Sequence, residues 1–307
     1  MKVKVPPIKC QGIKTKLVPW ILANCAFPEE GVWIEPFMGS GVVGFNACPR
    51  RAIFSDLNPH IIRFYQAIQQ GEITPPIARK YLETEGRKLE EIGDKYYYEV
   101  RTRFNTHHHP LDFLFLSRAG FNGVIRFNSR GEYNVPFCKK TKRFSKAYIT
   151  KIVNQITYIY ELLKYYKWEF KHGDFENLIL NAGEKDFIYC DPPYYGRHVD
   201  YYNTWGEEEE KRLSRALHST KAKFILSTWH SNKYRKNPNI DRYWNDFHIL
   251  TKEHFYHIGA KEENRNSMLE ALVLNYEPPA PVIEKSYRQL ALFEERAKYR
   301  SPSDKTA

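Results

Sequence analysis

Short apolar runs, spaced by longer stretches of helical periodicity, organise this chain. Val32-Trp-Ile-Glu35 and residues 52–56, 187–191 and 223–229 are too short for helices and predict buried strands. Later runs around His254–Ile258 and Leu269–Asn275 complete the set. Strands alternating with helical stretches predict an α/β fold, a Rossmann-like parallel sheet with helices on both faces. Residues 65–164 break that alternation. Helical patterns at Ile77–Leu89, Tyr97–Phe104 and Lys151–Tyr166 flank a loop rich in Asn, Gly and Arg. The predicted layout is one α/β domain built from residues 1–64 and 165–277, with a mostly helical insertion at 65–164. A peripheral tail, 278–307, opens on Pro278-Pro-Ala-Pro281.

Composition adds a sign. Across 307 residues, Lys plus Arg exceeds Asp plus Glu by 47 − 36 = 11, and the pI is about 9.2. A basic balance favours a polyanionic partner. The five cysteines form no CxxC pair and read as reduced thiols. No apolar run approaches the roughly 18 residues of a membrane span, and no charged-then-apolar leader opens the chain. The expectation is a cytoplasmic protein without a membrane segment.

The candidate chemistry sits at strand ends. After the first strand, Glu35-Pro-Phe37-Met-Gly39-Ser-Gly41-Val-Val-Gly44 spells GxGxxG, a weak dinucleotide signal on its own. Asp56 ends the second strand, where an acid can accept ribose hydroxyls; a turn-capping role before Asn58-Pro59 serves equally. Three features move the ligand from NAD toward S-adenosylmethionine. Glu35 and Phe37 place an acid and an aromatic where a charged amino-acid tail could sit. Asp174, in His172-Gly-Asp-Phe175 before the next predicted strand, is available to an adenine amine. Finally, Asp191-Pro192-Pro193-Tyr194 ends that strand, where open α/β sheets bind ligands. There a carboxylate and a proline-held carbonyl can accept from an exocyclic amine while the tyrosine offers a stacking face.

In this order the motifs make the chain similar to the Dam-type (group α) N6-adenine DNA methyltransferases. The matching stretches are Pro7-Ile-Lys9 with Gly12 and Lys14, Phe37–Gly41, Asp56-Leu-Asn58, Phe121-Asn122-Gly123 with Arg126, Gly131–Phe137 and Asp191–Tyr194. The resemblance runs from Pro7 to about Tyr276. It implies that Lys14 and the loop from Phe37 through Gly39 to Gly41 hold the methionine part of S-adenosylmethionine, with Asp56 on its ribose and Asp174 on its adenine. Cys10 and Ile13 depart from it, standing where the family usually has Trp and Gly.

On this reading the target adenine is flipped from double-stranded DNA, and Asp191 with the Pro192 carbonyl accepts its amine protons beside Tyr194. No metal and no covalent intermediate are expected. The resemblance assigns Arg118, Phe121, Asn122, Arg126 and Asn128 to DNA recognition, as side-chain chemistry allows: Arg reads guanine, Asn reads adenine, and Phe121 can wedge into the space left by a flipped base. Lys139, Lys140, Lys142 and Arg143 begin a run of six cations within 13 residues, suited to phosphates. His107-His-His109 reads as a surface loop, and Glu207–Glu210 as an acid-rich helix start.

Three readings stay open beside this one: an NAD-dependent oxidoreductase, a cytosine-N4 DNA methyltransferase and a non-catalytic DNA-binding module. The intact motifs argue against the last. Tyr195–Asn203 departs from the corresponding stretch of GATC-modifying members, so GATC is one candidate site among several. A cognate restriction endonuclease is the expected partner, with a solitary enzyme, and monomer or dimer, left open.

Overall fold

The computed structural model describes residues 2–10, 12–196, 205–255 and 267–279. Helix α1 (Val18–Ala23) precedes β1 (Trp33–Glu35), and α2 (Val42–Ala47) leads to β2 (Arg51–Asp56). Helices α3 (Pro59–Gln69), α4 (Pro75–Ile92), α5 (Asp94–His107), α6 (Pro110–Ala119) and α7 (Lys146–Tyr165) then separate β2 from β3 (Lys167–His172). The order continues with α8 (Phe175–Leu180), β4 (Phe187–Cys190), α9 (Glu207–Ser219), β5 (Lys223–Asn232), α10 (Pro238–Tyr243), β6 (His248–Phe255) and β7 (Ser267–Leu274). Residues 1–277 form one compact unit.

The helix starts follow from local chemistry. Asn58, Thr74 and Ser145 accept backbone N–H bonds at the starts of α3, α4 and α7, and Pro59 and Pro75 sit where a helix lacks a use for the N–H. Gly93, at φ 80°, ends α4.

Seven strands form one sheet in the order β3-β2-β1-β4-β5-β7-β6. Strands β1 to β5 pair in parallel, whereas β7 runs antiparallel to both β5 and β6. The sheet is therefore mixed, not wholly parallel as the strand pattern predicts. Alternate residues go to opposite faces. Trp33, Phe187, Tyr189 and Ile225 enter one core with α2 to α7, while Ile34, Ile188, Cys190 and Phe224 enter a second with α8 to α10. Burial on both faces explains why these strands are apolar throughout. The chain winds from β1 toward β3 on one side and from β4 toward β6 on the other. The reversal lies between β1 and β4, and a crevice opens outside the carboxyl ends of such neighbours.

Two strands differ from expectation. β3 is absent from the apolar pattern because it alternates, with only Trp168 and Phe170 buried. Its period of two is that of an edge strand, and it follows α7 with a single residue between. β6 covers His248–Phe255, earlier than the predicted 254–258; residues 256–258 lie outside the described residues, as does the tail from 280 onward.

Candidate active site

Strand β4 is buried along its whole length, so the chain leaves the sheet abruptly at Asp191. Lys14, 5% exposed, reaches in from the N-terminal segment. Its Nζ stands 2.8 Å from Asp191 Oδ1 and 4.6 Å from the centre of the Tyr194 ring. Tyr194 is itself buried, and its hydroxyl donates to the Glu270 carboxylate on β7. Burial pushes the Asp191 carboxyl above the usual range, while the Lys14 ammonium pulls it back. One cation thus holds both an acid and an aromatic face.

The glycine-rich turn follows β1, the strand next to β4 in the sheet. Gly39 and Gly41 both lie at positive φ, 48° and 72°. A Cβ on Gly39 would meet nothing within 4 Å, so the turn opens onto free space there; one on Gly41 would strike the Phe45 ring. Asp56 shapes the turn by accepting the Gly39 N–H and the Asn58 N–H, each at 2.8 Å, and burial raises its pKa. Two backbone bonds leave further lone pairs on this carboxylate, enough for hydroxyl donors. Tyr65, on α3, donates to the Ser40 carbonyl at 2.7 Å and ties the turn to that helix.

Glu35, expected beside the charged tail of the donor, is enclosed by protein. It is 2% exposed, accepts the Trp33 indole N–H at 3.2 Å and is pushed up to about 8 by burial. A Cβ on Gly44 would lie 2.4 Å from its Oε2 and 2.2 Å from Phe54, so the third glycine makes room for a buried acid. Phe37 packs in an aromatic group with Phe175 and Trp205, ring centres 5.1 and 5.4 Å away. Asp174 lies after β3, not merely before β4. Its Oδ1 accepts the Glu176 N–H as the cap of α8 and takes an ion pair from Arg212 at 2.7 Å.

The remaining candidates lie from α6 to the start of α7. Arg118 sits on α6, 5% exposed, and its guanidinium donates to the Pro7 carbonyl and to Gln155. Facing inward, it clasps the N-terminal segment. Arg143 is half-buried too, bonding the Arg118 carbonyl and stacking on Tyr148 at 4.5 Å. Asn128 closes a turn by accepting the Arg130 and Glu132 N–H groups, and Arg126 donates to Asn134 at 2.8 Å. Phe121 and Asn122 stand apart: Phe121 is 52% exposed, and Asn122 is exposed at φ 52°. A Cβ on Gly123 would collide with the Lys9 side chain, so that residue type lets the N-terminal segment lie against this turn. Lys139, Lys140 and Lys142 are exposed and line a surface depression with Thr141, Arg143, Ser145 and Tyr148.

His109 caps α6 and His108 packs on His60; among the described residues no metal-binding group of three converges. No described helix is long and apolar enough to cross a membrane. Arg197–Asn203, most of the stretch read as setting the DNA site, lies outside the described residues. Glu270 and Trp229 escaped sequence reading. The one available signal was an acid at the centre of an apolar strand.

Residues 11–258 match the D12 class N6 adenine-specific DNA methyltransferases. The type II methyltransferase M.FokI of Planomicrobium okeanokoites is 27% identical over 281 residues, which cover 88% of this chain and 42% of that protein. A DNA adenine methylase of Haemophilus influenzae is 33% identical over 198 residues, covering 62% of this chain and 63% of that one. The type II methyltransferase M.MjaIII of Methanocaldococcus jannaschii is 28% identical, covering 90% of this chain and 100% of its own length. The chain spans less than half of M.FokI and of the modification methylase StsI of Streptococcus sanguinis, 42% and 43%.

Proposed function

Because the chain belongs to the D12 class N6 adenine-specific DNA methyltransferases, we propose that it methylates the N6 amine of an adenine flipped out of duplex DNA. The observation that carries this reading is the single ammonium, Lys14, poised on both the Asp191 carboxylate and the Tyr194 ring at the switch point of the sheet. A group that binds a cation through a carboxylate and an aromatic face also suits an amine on a flat heterocycle.

S-adenosylmethionine, when bound, supplies an electrophilic methyl group on a positively charged sulfur. The donor set fits a cationic, zwitterionic ligand: Asp56 and Asp191 carry acid groups around the crevice, Lys14 the opposite charge, and Gly39 borders open space. Lys14 would hold the carboxylate, Asp56 the ribose hydroxyls and Phe37 the edge of the adenine. Asp174, already committed to a helix cap and Arg212, would act through the shape of that wall.

Asp191 and the Pro192 carbonyl would accept the two amine protons, concentrating the nitrogen lone pair on one direction. Pro192 and Pro193 keep that pair of acceptors rigid, and Tyr194 contributes its ring. Most of the rate enhancement then comes from positioning. The helical insertion, 65–164, would grip DNA, with Phe121 and Asn122 entering the duplex and Lys139, Lys140 and Lys142 on phosphates. Relatives named type II methyltransferases favour a restriction–modification role with a cognate endonuclease, carried out on DNA in the cytoplasm.

Tritiated methyl transfer to duplex DNA, followed by methylation-aware sequencing, tests the reading and supplies the site. Asp191→Ala should abolish transfer while donor binding stays measurable. Near-normal turnover by that variant, or label on cytosine, would overturn it.

A further inference from the structure

We propose that Glu270 is a positioning residue for methyl transfer, its carboxylate holding the Tyr194 hydroxyl and so setting the orientation of the Asp191–Tyr194 turn. The inference rests on reading that turn as the adenine grip. Glu270 is the one charged residue of β7, Ser-Met-Leu-Glu-Ala-Leu-Val-Leu, and it is 1% exposed. Burying a carboxylate costs several kcal/mol unless it is well partnered, and a strand serving the core alone is better filled by an apolar side chain. One partner here is the hydroxyl of the last residue of the catalytic turn.

The surroundings point the same way. Glu270 lies opposite Trp229 on β5 and Lys252 on β6. Trp229 and Met268 form a small apolar cluster with Tyr194, apart from the two main cores. The Trp229 indole N–H donates to the Tyr195 carbonyl at 3.2 Å. The turn is therefore pinned at three points: its carboxylate by Lys14, its ring hydroxyl by Glu270, and the backbone just beyond it by Trp229. The second and third come from strands β7 and β5. This places control of the acceptor geometry in the antiparallel half of the sheet.

A tyrosine released at its hydroxyl can adopt other rotamers, and a misplacement of about 1 Å at a reacting centre costs about 10²-fold in rate. The test uses the full chain with duplex DNA carrying its site and S-adenosylmethionine. Glu270→Ala should lower kcat by about 10–100-fold, with the affinity for S-adenosylhomocysteine unchanged within about threefold. Glu270→Gln, which keeps an acceptor, should recover most of that loss. In a Tyr194→Phe background, Glu270→Ala should cost little more in kcat, since the bond through which it orients the turn is already gone.

Independent, multiplying losses in the two variants, or a kcat within twofold of the parent for Glu270→Ala, would overturn the inference. So would a parallel fall in donor affinity, which marks a general loss of structure. If Glu270→Ala fails to fold, Tyr194→Phe removes the same bond without opening a cavity and must then show the kcat loss alone. Failure of the unaltered chain to methylate DNA would count against the activity itself. Full transfer by the parent together with an indifferent Glu270 rejects this proposal and leaves that activity standing.

Discussion

Lys14 and Asp191 form a partly buried ion pair, Nζ to Oδ1 2.8 Å, across two segments 177 residues apart in the chain. Lys14 is the neighbour that holds the Asp191 pKa down against burial. The pair therefore governs the pH at which the proposed acceptor is ionised.

Lys14→Met removes that pull, so the Asp191 pKa rises further. The acceptor must be ionised to work, and activity on the acid side is lost as pH falls through this pKa. The acid limb of the kcat/KM profile should move to higher pH by about one unit, within the range an adjacent opposite charge exerts. An unmoved limb would mean that Asp191 does not report through Lys14.

Glu35 offers a stability prediction of opposite sign to the usual carboxylate. Its folded pKa, about 8, lies above its ordinary value of 4.5, so between these the folded state holds a proton that the unfolded state has released. Stability should fall as pH rises through that window, by up to about 1.4 kcal/mol per unit. Glu35→Gln should flatten the decline, measured as urea midpoints from pH 5 to 8. An equally steep decline in the variant would show that another group carries it.

The glycine-rich turn separates packing from ligand space. Gly44→Ala drives a methyl into Phe54 and the Glu35 carboxylate and should cost about 1–3 kcal/mol of stability. Gly39→Ala meets no atom and carries only the conformational cost of its positive φ, about 1–2 kcal/mol. Because its new methyl points into the proposed donor space, Gly39→Ala should weaken S-adenosylhomocysteine binding out of proportion to its effect on melting. Calorimetry on both variants decides this.

Cations from α6 to the start of α7 should divide into two classes. Neutralising Lys139, Lys140 and Lys142 together should leave melting unchanged and flatten the salt dependence of DNA affinity, by about 0.9 in log–log slope for each phosphate that is no longer neutralised. Arg118→Ala should instead destabilise the protein by about 1–3 kcal/mol, because the buried Pro7 carbonyl and Gln155 lose their donor. Comparable folding stability in Arg118→Ala would contradict the clasp.

Phe37–Gly41, Asp56 and Asp191–Tyr194 were legible as a constellation because each is local: a turn or strand end dictated by its own few residues. Strands β1, β2, β4 and β5 were legible for the same reason, being apolar on both faces. β3 was hidden by its alternating edge pattern, and the direction of β7 by the absence of any local cue to strand direction.

By itself the amino-acid sequence determined the apolar strands β1, β2, β4 and β5, the residue types at the strand ends and the family to which they belong. Those properties follow from side-chain periodicity and from chemistry that neighbouring residues share. Tertiary structure alone decided which charges are paired. It turned Arg118 inward, closed off Glu35 from the crevice, brought Lys14 onto Asp191, and delivered Glu270 from the far end of the chain to the Tyr194 hydroxyl. Burial sets the cost of a charge, and burial depends on which distant segments pack together, a relation no local pattern carries.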